Sequence, residues 1–208
     1  MGMAHRGRPA VRVLSTPGTS IGQERTHPPG FWGMVILIAT EATVFGGLLS
    51  AYFFVRATSK AWPQGGIAPP ELSRITVFTV VLLASSLPLF WGERAIRKGR
   101  VGELRLALLI SFLLGLAFVV NQTFEFSGLQ FAARDNAYAS LFIVITGLHG
   151  LHLLVGLMIS IVVQVKASLG WFDAERHLTV TVFGLYWHFV DVVWVLVFSS
   201  LYLSAHLR

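Results

Sequence analysis

The chain has 208 residues, of which 54% are hydrophobic and only 12% charged, a balance that suits a lipid bilayer and leaves nothing for a sizeable soluble domain. It has no cysteine, which excludes disulfides, thiolate metal sites and cysteine nucleophiles. A formal charge of +6 would suggest nucleic acid in a soluble protein. Here the basic residues lie in the tail and between apolar runs, so membrane topology accounts for them and no nucleic-acid partner is expected.

Residues 1–30 carry Arg6, Arg8, Arg12 and Arg25 among Gly, Ser, Thr and Pro, with no apolar run long enough for a signal peptide. A disordered basic tail is expected there. His27-Pro28-Pro29-Gly30 breaks the chain before the first predicted span, 31–55, whose 25 residues hold one charge, Glu41. Arg56 and Lys60 close it, and Trp62-Pro63-Gln64-Gly65-Gly66 with Pro69-Pro70 supplies turn formers and an interfacial aromatic. The second span, 75–92, is short, with Pro88 near its end, Trp91 at the expected interface and Glu93-Arg94 as its terminator. A basic connection through Arg97, Lys98 and Arg100 leads to the third span, 106–126, which turns polar at Asn121, Gln122 and Glu125.

The fourth span, 139–165, contains Gly147, Gly150 and Gly156, small residues that allow close helix contact. A loop with Trp171 and Asp173 precedes the fifth, 178–204. No internal repeat and no period-two strand pattern is present. The predicted fold is therefore an all-α integral membrane bundle of five transmembrane helices, one membrane domain over 31–208. Eleven of the 16 Lys and Arg residues fall on the side of the N-terminal tail and five on the other. That bias predicts a cytoplasmic N-terminus and an external C-terminus.

An ionisable group at the bilayer centre costs roughly 2.5–3.5 kcal/mol on insertion scales, so the polar residues inside the spans need a reason. Glu41 lies about 15 Å into its span, near the midplane of a core about 30 Å thick. His149, His188 and Asp191 fall at similar depth in their own spans. No Lys or Arg lies within a predicted span, which leaves Glu41 and Asp191 protonated, paired with histidine, or bonded to neutral donors. His149 and His152 are three residues apart and share a helix face, as do His188 and Asp191.

Each group has a functional and a structural reading. The His149–His152 pair reads as a metal or haem site, or as hydrogen-bonded interior histidines, since a ligand set needs a completed shell. His188–Asp191 reads as a functional pair or an intra-helix hydrogen bond. Glu41 reads as a packed neutral carboxyl or as a lipid or proton contact. Gln122 and Glu125, near a span end, read as interfacial structure, and Trp32, Trp91, Trp171 and Tyr202 as interface anchors.

Two stretches, Thr146-Gly147-Leu148-His149-Gly150-Leu151-His152 followed by Gly156, and Tyr186-Trp187-His188-Phe189-Val190-Asp191-Val192-Val193-Trp194, resemble the signatures of the cytochrome c oxidase subunit III family. The segment before Glu41, Trp62-Pro63 with the later Pro-Pro pair, and Gln122 with Glu125 fall in matching order, so the resemblance runs from about residue 31 to the C-terminus. It implies a five-helix form of a seven-helix parent, without the two helices that lean away across a lipid-filled cleft. It also implies no haem, copper or other cofactor in this chain. Those centres are expected in partner subunit I, with subunit II and membrane phospholipid as further partners, in a bacterial-type plasma membrane.

The implied role is non-catalytic: subunit III stabilises subunit I of the terminal oxidase and sustains its proton uptake in aerobic respiratory electron transport. Glu41 matches the family's intramembrane carboxylate, with His149 or His152 as its partner. Third subunits of quinol oxidases and nitric-oxide-reductase-associated relatives share the resemblance. From other classes, a proton-coupled transporter would place similar groups at the midplane but show repeated halves. A membrane metalloenzyme would recruit Glu41, His149, His152, His188 and Asp191 to one carboxylate–histidine centre.

Overall fold

The computed structural model describes residues 28–68 and 71–206. Among them all regular structure is helical, and five helices are long and apolar enough to cross a membrane. They are α1 (Pro29–Thr58), α2 (Leu72–Ile96), α3 (Val101–Ser127), α4 (Ala137–Ser168) and α5 (Leu178–Val197), which runs on through a π-helical turn (Phe198–Leu203) to Ser204–His206. The tail expected over 1–30 lies, through residue 27, outside the described residues.

Local chemistry sets the ends. Pro28 precedes α1 and Pro29 opens it, at a position where the missing N–H has no intrahelical partner to lose. The Asn136 side chain accepts from the Ala139 N–H at 2.9 Å and caps α4. Gly99 at φ 72 turns α2 into α3, and Gly170 at φ 76 ends α4, conformations that a side chain disfavours. Arg105 of α3 donates to the Ala167 carbonyl at 3.0 and 2.6 Å, supplying the last turn of α4 with a cation. In the loop before α5, the backbone N–H of Arg176, with its guanidinium and the N–H of Glu175, holds the Asp173 carboxyl below the usual carboxylate range.

One expectation about α2 is corrected: the helix continues to Ile96, so Glu93-Arg94 belongs to α2 and not to a terminating loop. Pro88 lies inside the helix. A proline removes one backbone hydrogen bond, and neighbouring helices supply compensating polar contacts in a membrane. The carbonyl that Pro88 cannot bond is that of Ala84; beside it, Ser111 of α3 donates to the Ser85 carbonyl at 2.7 Å and ties α3 to α2. Arg56, Arg74, Arg94, Arg105 and Lys166 also lie within helices, because the helices outrun the apolar segments at their ends.

α5 is central, packing on α1, α2 and α4, while α2 and α3 form a tight antiparallel pair. α1 is peripheral and buries only Phe45 and Tyr52. Trp187 of α5 joins three helices: its indole N–H donates to Ser85 Oγ of α2 at 2.9 Å, and its ring lies against Gly115 of α3 and Gly156 of α4. A methyl group at Gly115 would come within 2.7 Å of that ring. Gly115→Ala is therefore expected to destabilise the bundle by about 1–3 kcal/mol through overpacking, whereas Gly46→Ala, whose Cβ meets nothing within 4 Å, leaves detergent-resistant stability unchanged or raised. Equal melting of the two variants would count against Trp187 as a wedge.

At one end of the bundle, Trp62 inserts its ring between Tyr52 of α1 and Tyr138 of α4, with centroids 5.1 and 5.0 Å away. Arg56 donates to the Ser204 carbonyl at 2.8 Å, tying α1 to the end of α5. Trp32, Trp91 and Trp171 are 53%, 38% and 60% exposed. Tyr202 is not an anchor. It is fully buried against Phe142, Phe198 and Trp194, because the wider π-helical turn carries it inward.

Candidate functional site within the membrane

Glu41 of α1 and His152 of α4 meet, with Oε2 3.1 Å from Nε2. The other ring nitrogen, Nδ1, lies 2.8 Å from the Leu148 carbonyl. A carbonyl only accepts, so Nδ1 carries a proton. Nε2 then either accepts the Glu41 carboxyl proton or, as part of an imidazolium, donates to the carboxylate. In both arrangements one proton lies between Oε2 and Nε2. Tyr186 of α5 donates to the His152 carbonyl at 2.9 Å, and Phe45 closes on the imidazole edge at 5.4 Å. The Glu41 side chain is 32% exposed and that of His152 14%, which puts this pair at the bundle surface, accessible to lipid or a neighbouring subunit.

His149 does not join them. Three residues correspond to a rotation about 60° short of a full turn, enough to send the two histidines to different neighbours. His149 is fully buried, its ring 4.6 Å from that of Trp194 and edge-on to Phe118 at 6.1 Å. Neither of its nitrogens has a partner among the described residues.

His188 and Asp191 do not bond to each other as a same-face pair. Both reach Ser86 of α2: His188 Nδ1 is 2.9 Å from Ser86 Oγ, and the same hydroxyl makes a short hydrogen bond with Asp191 Oδ2. Phe90 stacks on the His188 ring at 4.0 Å and 16°. The antiparallel crossing of α2 and α5 aligns the three polar groups.

Gln122 and Glu125 turn inward from the end of α3. Gln122 is 6% exposed, and both side chains face the phenol of Tyr202. Beside them, Arg74 Nε donates to Asn121 Oδ1 at 2.6 Å, and its guanidinium lies 5.9 Å from the centre of the Phe124 ring. Glu125 and Arg74 also line an open cavity of about 710 Å³ at this end of the bundle.

The five polar residues singled out within the spans thus divide among three places: Glu41 with His152, His149 apart from both, and His188 with Asp191 around Ser86. Among the described residues no three His, Asp or Glu side chains come together as a metal-ligand group. Sequence reading missed Ser85, Ser86, Tyr186 and Glu93. A serine in an apolar run barely changes hydropathy, so the adjacent pair Ser85-Ser86 at mid-span was the only available signal.

Comparison with known proteins agrees with this architecture. Residues 18–206 match the model of the family described as cytochrome c oxidase subunit III. A protein named cytochrome c oxidase subunit 3 from Thermostichus vulcanus is 34% identical over 195 residues, covering 92% of this chain and 96% of that protein. One of the same name from a Synechocystis species is 34% identical over 90% of this chain and 81% of its own length. The corresponding Mus musculus protein is 32% identical over 82% of this chain and 68% of its own length. The match spans all five helices and both polar stretches, and the chain belongs to the cytochrome c oxidase subunit III family, the third subunits of haem–copper oxidases.

Proposed function

We propose that this chain is the non-catalytic third core subunit of a cytochrome c oxidase-type terminal oxidase in a bacterial-type plasma membrane, with a cytoplasmic N-terminus and an external C-terminus. It packs on a catalytic subunit I that holds the haem and copper, in a complex that also contains subunit II and bound phospholipid. Its contribution is to stabilise subunit I and sustain proton uptake during turnover. The oxidase activity belongs to the complex.

One observation carries this reading: a carboxyl–imidazole pair, Glu41 Oε2 3.1 Å from His152 Nε2, midway along α1 and on the surface of an otherwise apolar bundle. Such a pair can hold a proton, or a polar group of lipid, beside a neighbouring subunit. The family match over residues 18–206 favours this supporting role over a metalloenzyme.

Deleting the chain tests the proposal. The remaining oxidase is expected to keep its haem spectrum and initial turnover but to lose activity progressively during sustained turnover. An unchanged turnover lifetime would refute the supporting role. A C-terminal reporter active only in the cytoplasm would reverse the orientation.

A further inference from the structure

We infer that Ser86, His188 and Asp191 form a second intramembrane proton-holding site, on the seam between α2 and α5, in which the Ser86 hydroxyl relays a proton between imidazole and carboxyl. The geometry is specific. Ser86 Oγ is within hydrogen-bond reach of both His188 Nδ1 and Asp191 Oδ2. A hydroxyl has one proton to donate, so the two bonds run in series.

Only two neutral-imidazole arrangements satisfy both bonds. In the first, Asp191 is a carboxylate that accepts from Ser86, and Ser86 accepts from His188 Nδ1–H. In the second, a protonated Asp191 donates to Ser86, and Ser86 donates to an unprotonated Nδ1, which puts the imidazole proton on Nε2. Protonation of Asp191 is thereby coupled to the tautomer of His188.

The step between them balances. A proton delivered to Nε2 makes an Nε2–H bond; the Nδ1–H bond then breaks as a new bond forms at Ser86 Oγ, and the original Ser86 O–H proton passes to Asp191 Oδ2. One proton enters and one carboxylate becomes a carboxylic acid. His188 returns to neutrality as the other tautomer.

The surroundings orient the imidazole. Phe90 holds the ring plane by stacking, and His188 Nε2 is buried with no partner among the described residues, as is Asp191 Oδ1. Ser86, Phe90 and Glu93 recur on one face of α2, while Gly184, His188 and Asp191 recur on the facing side of α5. The Glu93 carboxyl occupies the space that a Cβ at Gly184 would fill, with Oε1 only 1.6 Å from that position. Glu93 therefore lies about one α5 turn from His188, toward the basic connection between α2 and α3. A proton from its carboxyl, or from water beside it, is the source required.

Other titratable groups around α5 are engaged elsewhere. Arg97 lies near Glu93 on the α2 side, Glu41 and His152 pair on the α1 and α4 side, and His149 lies against Trp194. Among the described residues no Lys or Arg makes an ion pair with Asp191.

The test is infrared difference spectroscopy of the intact oxidase complex across pH, in H2O and D2O, with 15N-labelled histidine. A carboxylic C=O band that disappears in Asp191→Asn but persists in Glu41→Gln is expected to grow as pH falls. Over the same pH interval an imidazole marker should change from the Nδ1–H to the Nε2–H form, and this change should vanish in Asp191→Asn. Ser86→Ala should separate the two transitions, and Ser86→Thr, which keeps the hydroxyl, should keep them together. A purely structural triad would show one His188 tautomer throughout. That result, or a Ser86→Ala complex titrating like the unmodified one, overturns the inference; if Ser86→Ala does not assemble, the Asp191→Asn comparison still decides it.

Discussion

Trp187→Ala is expected to cost the five-helix unit about 3–5 kcal/mol, the range for removing a large buried aromatic. The ring is 1% exposed and fills the space left by Gly115 and Gly156, so truncation opens a cavity against three helices at once. It also leaves Ser85 Oγ without its indole donor. In a membrane, apolar burial against lipid gives little net driving force, and close packing with interhelical hydrogen bonds holds helices together. Trp187→Phe keeps most of the contact and should recover more than half of the loss. Denaturant unfolding of the detergent-solubilised chain, or its retention on the purified oxidase, measures both variants. Wild-type retention of the Ala variant would mean that partner subunits, rather than this internal wedge, hold the bundle together.

Glu41 gives the second large effect. Glu41→Ala leaves His152 Nε2, on a side chain only 14% exposed, without its protein partner, a loss of about 1–3 kcal/mol. Glu41→Gln retains an amide that can donate to the same nitrogen. Ala should therefore impair assembly or sustained proton uptake clearly more than Gln. His152→Phe should resemble Ala, since it removes the pair while preserving the contact with Phe45.

A hydrophobic carbodiimide, which reacts with protonated carboxyls in apolar surroundings, should label Glu41 ahead of Glu71 and Glu103. Glu71 is exposed at the start of α2, and Glu103 forms an ion pair with Arg100 at 2.7 Å. Glu93 is unsuitable as a surface control because its carboxyl is seated against α5. Label confined to Glu71 and Glu103 would place the shared proton on His152; identical behaviour of Ala and Gln would remove the hydrogen bond from the account altogether.

Much of this protein was legible from residue order alone. Long apolar runs broken by charged connections determine five helices, because a backbone in hydrocarbon must satisfy its own hydrogen bonds. A fixed rise of about 1.5 Å per residue also converts position in a span into an expected height. That is why Glu41 and the histidines stood out, and why the polar stretches around His149 and His188 carried the family resemblance. Helix ends were less legible: at α2, Glu93-Arg94 looked like the terminator, but the helix runs on to Ile96 and seats the Glu93 carboxyl against Gly184 of α5.

What residue order could not determine was the rotation of each helix about its axis and the identity of its neighbours. His149 and His152 are equivalent by spacing, yet only His152 faces α1 and meets Glu41. Tyr202 looks like an interface residue until the π-helical turn rotates it inward. Ser86 is unremarkable in an apolar run until the crossing of α2 and α5 sets it between His188 and Asp191. Hydropathy and period are one-dimensional properties of a segment; a hydrogen bond between helices depends on azimuth and distance, which only the packed bundle supplies.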